Sequence, residues 1–179
     1  MRISHFNSGI FSCQRRTMQK GYFYFISDEY YNKFSNEKLM TNKEIVNGEV
    51  HNRPCYYSFQ DDNEKQLFWM IPVSSQTDKY LNEYNKSIEK YGMCDTISFG
   101  YLKGEFNAFL LQNMCPITSK YVLNQYFYAD SKNPVHIPND LKRELNAKAR
   151  KILRLAKMGK KLTFTNILKM RQELISELQ

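Results

Sequence analysis

The sequence predicts an α+β fold, with antiparallel strands, helices inserted among them and helices appended at the C-terminus. Three observations predict it. Aromatic residues make up 15% of the chain, mostly 13 Tyr and 12 Phe, and such rings favour the pleated surface of a strand. They fall in short runs separated by polar turns, which gives hairpins. From residue 137 onward the apolar residues switch to helical spacing.

Each element follows in order. "GYFYFI", residues 21–26, is a strand by aromatic density. "SDEYYNKF" follows as a short helix, with Ser27 as N-cap and Asp28 and Glu29 in the first turn, where carboxylates meet the positive helix end. Residues 36–50 are polar and read as a loop. "RPCYYSF", residues 53–59, is a second strand, with Pro54 at its entry or on an edge. "QDDNEK" is a turn by composition, and "QLFWMIPV", residues 66–73, is a third strand that closes a hairpin. Leu81, Tyr84, Ile88 and Tyr91 recur at helical steps, and Gly92 is a fitting terminator. "DTISFGYL" and "EFNAFLLQN" are strands joined at "KGE", and Pro116 is expected to end that unit. "SKYVLNQYFYA" fits a strand or a helix. "IPNDLKRELNAKARKILRLAKMG" is the clearest helix, capped by Asn139, with Leu141, Leu145, Ile152 and Leu155 on one face and Gly159 at its end. Residues 165–178 form a second one, with Ile167, Leu168, Leu174 and Leu178 as its apolar stripe.

A chain of 179 residues is the size of one domain with a real core. The opening "MRISHFNSGIFSCQRRTMQK" has neither periodicity nor the apolar run of a signal peptide. Residues 1–20 are therefore expected to be a flexible extension, or the product of a start placed too early with Met18 as the alternative, and residues 21–179 a single domain. No apolar run is long enough to span a membrane. Cys13, Cys55, Cys94 and Cys115 form no C-x-x-C pair and no regular framework, which fits a reducing cytoplasm. His5, His51 and His136 are too scattered for a metal cluster, and no metal is expected. No Gly-rich phosphate loop appears, so no nucleotide cofactor is expected. G-x-S-x-G, H-E-x-x-H and paired carboxylates in apolar settings are also missing.

Charge is uneven. The net charge is +8, yet residues 142–171 carry eleven Lys or Arg against the single acid Glu144, leaving the rest of the chain at about −2. Lys142, Arg143, Lys148, Arg150, Lys151, Arg154, Lys157, Lys160 and Lys161 therefore form a candidate surface for a polyanion, most simply a phosphate backbone. A solvated basic helix would have the same composition.

The third strand opens into a cluster of hydroxyls: Ser74, Ser75, Thr77, then Lys79. A tight turn at residues 60–65 forces the second and third strands to run antiparallel, which brings Arg53 to the same sheet end. Hydroxyls, backbone N–H groups and two cations can hold a phosphate without a metal. The stretch also fits a plain strand-to-helix loop, with Ser75 or Thr77 as a helix cap and Lys79 in solvent. Arg53 likewise fits a surface ion pair, and Tyr30 half-buried packing.

"YFYFISDEYYNKF", "RPCYY" and "FWMIPVSSQTDKY", in this order and spacing, resemble the toxins of type III toxin–antitoxin systems, the ToxN/AbiQ superfamily and within it the CptN branch. The likeness covers roughly residues 21–91, and the two C-terminal helices are similar to the family's tail. It implies a compact, twisted, barrel-like antiparallel sheet of the Kid/MazF type with added helices. It implies an endoribonuclease needing no metal, and as partners cellular mRNA and a small repeated antitoxin RNA, folded as a pseudoknot, that the toxin cuts and is inhibited by within a higher-order assembly. Carried over by position, the family's early tyrosine falls on Tyr30, its basic residue on Arg53, and its hydroxyl pair on Ser74 and Ser75. Thr77 stands where the family has a lysine, and Lys79 matches the next one. Tyr56 and Tyr57 replace an Ile-Gly pair.

The implied reaction uses the RNA's own 2′-OH as nucleophile and leaves 2′,3′-cyclic phosphate and 5′-OH ends. Arg53 and Lys79 would stabilise the developing charge. Ser75, with Ser74 or Thr77, would bind the non-bridging oxygens, and Tyr30 would orient the ribose or stack on a base. The group that removes the 2′-proton is not legible. The competing class is a non-catalytic nucleic-acid-binding protein that works through its C-terminal helices.

Overall fold

The computed structural model describes residues 18–46 and 48–179. Residues 1–17 of the expected N-terminal extension lie outside the described residues. The strands are β1 (Phe23–Ile26), β2 (Lys43–Val46), β3 (Glu49–Asn52), β4 (Pro54–Gln60), β5 (Leu67–Ser74), β6 (Ile97–Leu102), β7 (Glu105–Leu110), β8 (Cys115–Thr118) and β9 (Val122–Gln125). The α-helices are α1 (Asp28–Lys33), α2 (Thr77–Tyr91), α3 (Asn139–Lys157) and α4 (Ile167–Glu177).

The main sheet has seven antiparallel strands in the order β6-β7-β5-β4-β1-β9, with β8 also on β5. Strand β5 is its axis. It pairs along its length with β4 on one side. On the other side β8 takes Leu67 to Met70 and β7 takes Val73 and Ser74. Every residue of β5 except Phe68 is buried, which explains why its sequence is a near-continuous apolar run. Trp69, Phe59, Tyr56, Phe23 and Phe109 fill the centre with stacked, tilted and edge-on ring contacts. Helix α3 covers β4 with Leu141, Leu145, Ala149, Ile152 and Leu153, and Leu141 passes so close to Gly100 that a Cβ there would clash at 2.2 Å. Helix α4 buries Ile167, Met170 and Leu174 against β8 and β5.

Four local expectations are corrected. Residues 36–50 are not simply a loop: β2 and β3 pair from Lys43↔Asn52 to Val46↔Glu49 as a separate two-stranded hairpin. Pro116 does not end the sheet but sits inside β8, opposite Trp69, on a strand whose proline need not donate to a partner. Asn139 is the first residue of α3 rather than its cap, and Pro138 precedes it. Ser27 holds the N-cap position of α1, but its hydroxyl makes no capping bond. The three described cysteines, Cys55, Cys94 and Cys115, are free and buried.

Candidate nucleic-acid cleft

The end of β5 opens into a cleft of about 640 Å³. Ser75 lines it from the loop after β5. Glu44, His51 and Asn52 line it from the β2–β3 hairpin, Lys103, Glu105 and Asn107 from the β6–β7 hairpin, and Phe25, Asn124 and Tyr126 from the β1–β9 edge. Two hairpins and a sheet edge thus converge on one hydroxyl. Phe25 meets Tyr126 edge-on at 5.1 Å, and the Lys103 ammonium lies 5.0 Å from the Tyr126 ring centre and 3.3 Å from its hydroxyl. A ring and a cation on one wall suit a base and its phosphate. Lys103 is held at φ 55, just before Gly104, by the tight turn that joins β6 to β7.

Behind the cleft lies Arg53. It is 3% exposed, so its charge is taken up inside the protein. Its Nη1 donates to Glu44 Oε2 at 2.8 Å and to the Val73 carbonyl at 2.8 Å, and its Nε donates to the Thr41 carbonyl at 3.0 Å. The guanidinium therefore ties the β2–β3 hairpin to β5, two residues before Ser75. Arg53 holds the cleft wall from behind and is not among the residues that line the cleft, a departure from the expectation that it stands open to a phosphate.

The other expected site residues separate. Ser74 is fully buried, and its Oγ accepts from the Gln76 N–H at 3.2 Å. Ser75, at the bend just past the end of β5, is exposed. Thr77 begins α2, and its N–H donates to the Ser75 carbonyl at 2.8 Å. No side chain caps α2. Lys79 is exposed in the first turn of α2, with its ammonium 5.2 Å from the Tyr80 ring centre. Tyr30 is fully buried in the core. Its hydroxyl donates to the Pro116 carbonyl at 2.6 Å and its ring packs on Tyr31, Phe34 and Tyr121. Burial, above all, pushes its ionisation well above the usual phenol range. Tyr30 is thus a packing residue, and the expectation that it touches ribose is corrected.

No protein-family model matches the chain, and no curated protein matches it. Among solved structures, AbiQ, a lactococcal anti-phage endoribonuclease belonging to the type III toxin–antitoxin system, superposes with a TM-score of 0.64. The match covers 89% of this chain and 99% of AbiQ, at 14% identity. The chain shares its fold with AbiQ. Nearly all of AbiQ is matched, so the likeness is one of whole architecture and not of a sheet alone.

The basic third divides in two. Lys148 pairs with Glu144 at 2.8 Å and also donates to the Ser98 hydroxyl and the Ile97 carbonyl. Arg150 pairs with Asp62 at 3.2 Å above the Phe59 ring, and Lys151 with Asp95 at 2.5 Å. Lys142 lies over the Tyr22 ring. Arg143, Arg154, Lys157, Lys160 and Lys161 are exposed and make no ion pair among the described residues. Among those residues no group of three or more His, Cys, Asp or Glu is placed to hold a metal ion.

Sequence reasoning missed His51, Lys103, Asn107, Asn124 and Tyr126. Only the "KGE" turn carried a signal for one of them, since a hairpin tip is a place where a lysine stands exposed.

Proposed function

We propose that this chain is an endoribonuclease toxin of a type III toxin–antitoxin system, and that the cleft at Ser75 is where it holds RNA. The supporting observation is the conjunction of an AbiQ fold over 99% of AbiQ's length with a polar cleft at the end of β5. The reaction is transesterification by the RNA's 2′-OH, leaving 2′,3′-cyclic phosphate and 5′-OH ends, with no metal. Ser75 donates to a non-bridging phosphate oxygen. Lys79, in the first turn of α2, and Lys103 across the cleft supply positive charge to the phosphorane-like transition state, where preorganised charge is most effective. Thr77 and the uncapped first turn of α2 offer further donors on the same side of the loop. Tyr126 gives a base a face to stack on. Arg53 acts from behind by fixing Glu44 and the end of β5.

The partners proposed are cellular mRNA as substrate and a small repeated antitoxin RNA, folded as a pseudoknot, as both substrate and inhibitor in a protein–RNA assembly. The basic surface of α3 and the segment after it would hold that RNA through its phosphates. The proposed place of action is the cytoplasm, where both RNAs are found. Expression of the chain in bacteria should arrest growth and fragment cellular RNA, and Ser75→Ala should lift both effects. Growth arrest that persists with intact RNA would show that the toxicity, and so the protein, works differently.

A further inference from the structure

The proposed reaction lacks a group to take the 2′-proton, and the β2–β3 hairpin presents one. His51 lies directly opposite Glu44 in the hairpin register. Cross-strand partners project from the same face, and both line the Ser75 cleft. Glu44 is locked by the buried Arg53, which also holds the Val73 carbonyl. The position of His51 relative to Ser75 is therefore set by a continuous chain of pairing and hydrogen bonds from β3 to β2 to Arg53 to β5. The imidazole itself remains accessible, with its side chain 51% exposed, and its Nε2 stands 3.6 Å from Glu49 Oε2. That is too long for a hydrogen bond but close enough for the carboxylate to orient the ring when Nε2 carries the proton. Nδ1 is then the nitrogen with a free lone pair. A base oriented by a third group, next to a hydroxyl-lined site, is the arrangement that nucleophile activation requires.

We infer that His51 is the general base of RNA cleavage in this cleft, an inference that rests on the endoribonuclease reading above. Its Nδ1 takes the proton of the 2′-OH, and the O2′ electron pair forms the O2′–P bond. The P–O5′ bond breaks with its electrons on O5′, which takes a proton from solvent water. The imidazolium then returns its proton to solvent. The other titratable groups around the ring are Glu49 on β3, Glu44 on β2, Lys103 and Glu105 at the β6–β7 turn, and Tyr126 after β9.

The test uses the full chain and a bacterial transcript with a mapped cut, in single-turnover cleavage across about pH 5 to 9, the range in which imidazole titrates. The parent should show a rate that falls on the acidic side. His51→Ala and His51→Gln should each lose about 10²–10⁴ in rate, the size of a general-base contribution. Both should lose the acidic limb, and added imidazole should restore part of the His51→Ala rate. Affinity for the same RNA with a 2′-deoxy sugar at the cut should stay within about 2-fold of the parent. Cleavage by both variants at the parental rate and pH profile overturns the inference, as does a loss of rate fully explained by weaker RNA binding. A parent that cuts no RNA overturns the endoribonuclease reading, and the inference with it.

Discussion

The two serines after the central strand show how much one backbone step decides. Ser74 and Ser75 are equivalent in the sequence pattern, yet one is buried and bonded to the Gln76 amide while the other lines the cleft. The hydroxyl cluster was legible in the sequence, but which hydroxyl stays inside was not, because the strand ends between the two serines and Ser75 falls in the bend beyond it. Arg53 was legible as a cation at this sheet end. Its role was not, because its partner Glu44 lies in a stretch with no evident structure of its own. Their side chains are 4% and 11% exposed, so Arg53→Ala leaves a buried carboxylate and takes a donor from the Thr41 and Val73 carbonyls. Breaking a buried pair from one side costs about 3–5 kcal/mol, and denaturant unfolding should show a loss of that size. Lys79→Ala should behave the other way. Its side chain is exposed, so stability should be nearly unchanged, while cleavage should fall by about 10²–10³ through loss of transition-state charge. Full activity in Lys79→Ala would make it a solvent lysine resting on Tyr80.

The element that matters most to the cleft is the one the sequence hid. The β2–β3 hairpin leaves Ile45 73% and Val50 66% exposed. It therefore lacks the alternation that identifies a strand buried on one face. The β4–β5 hairpin was plain by contrast, because both its strands carry long runs of buried aromatic and aliphatic residues. Its turn is held from a distance. Asp61 accepts from both Nε and Nη2 of Arg171 on α4 at 2.8 and 2.7 Å, and from the Trp69 indole at 3.1 Å. Burial pushes the Asp61 carboxyl up, but the Arg171 hydrogen bonds and the backbone N–H groups of Asn63 and Glu64 outweigh it and hold the carboxyl well below the usual range. A carboxyl depressed in the folded state contributes stability at pH above its unfolded value of about 3.9 and loses it as pH falls below that. Acid unfolding of the parent should therefore steepen below about pH 4. Arg171→Gln should lower stability at neutral pH and flatten that acid dependence. An acid profile unchanged by Arg171→Gln would show that the pair does not hold the turn.

At the scale of the molecule, the charge imbalance was legible and its distribution was not. Eleven cations in thirty residues suggested a uniform basic face, yet five of them, Lys148, Arg150, Lys151, Lys169 and Arg171, are paired with carboxylates within the fold. Lys148 pairs with Glu144 on its own helix, the one acid of that stretch. Arg150 and Lys151 pair with Asp62 and Asp95, which lie dozens of residues earlier in the chain and so give no local signal. Apart from Arg143 near the start of α3, the exposed cations without an ion pair among the described residues gather at the C-terminal end of α3 and just beyond it. Exchanging Arg154, Lys157 and Lys161 for Gln should weaken antitoxin RNA binding and lower the salt slope of log K by about 0.7–0.9 for each phosphate no longer neutralised. Lys151→Gln, a residue tied to Asp95, should leave the slope near the parental value. Equal slopes in both variants would show that this surface points away from RNA. Metal-free cutting of RNA at the Ser75 cleft by 2′-OH attack is the proposal on which the function of this AbiQ-like fold rests. It is tested most directly by incubating the purified protein with bacterial RNA in EDTA and analysing the new ends. Cleavage should proceed in EDTA, leave 2′,3′-cyclic phosphate and 5′-OH ends, and be abolished by Ser75→Ala; cleavage that appears only with added magnesium, or that leaves 5′-phosphate ends, would overturn the proposal.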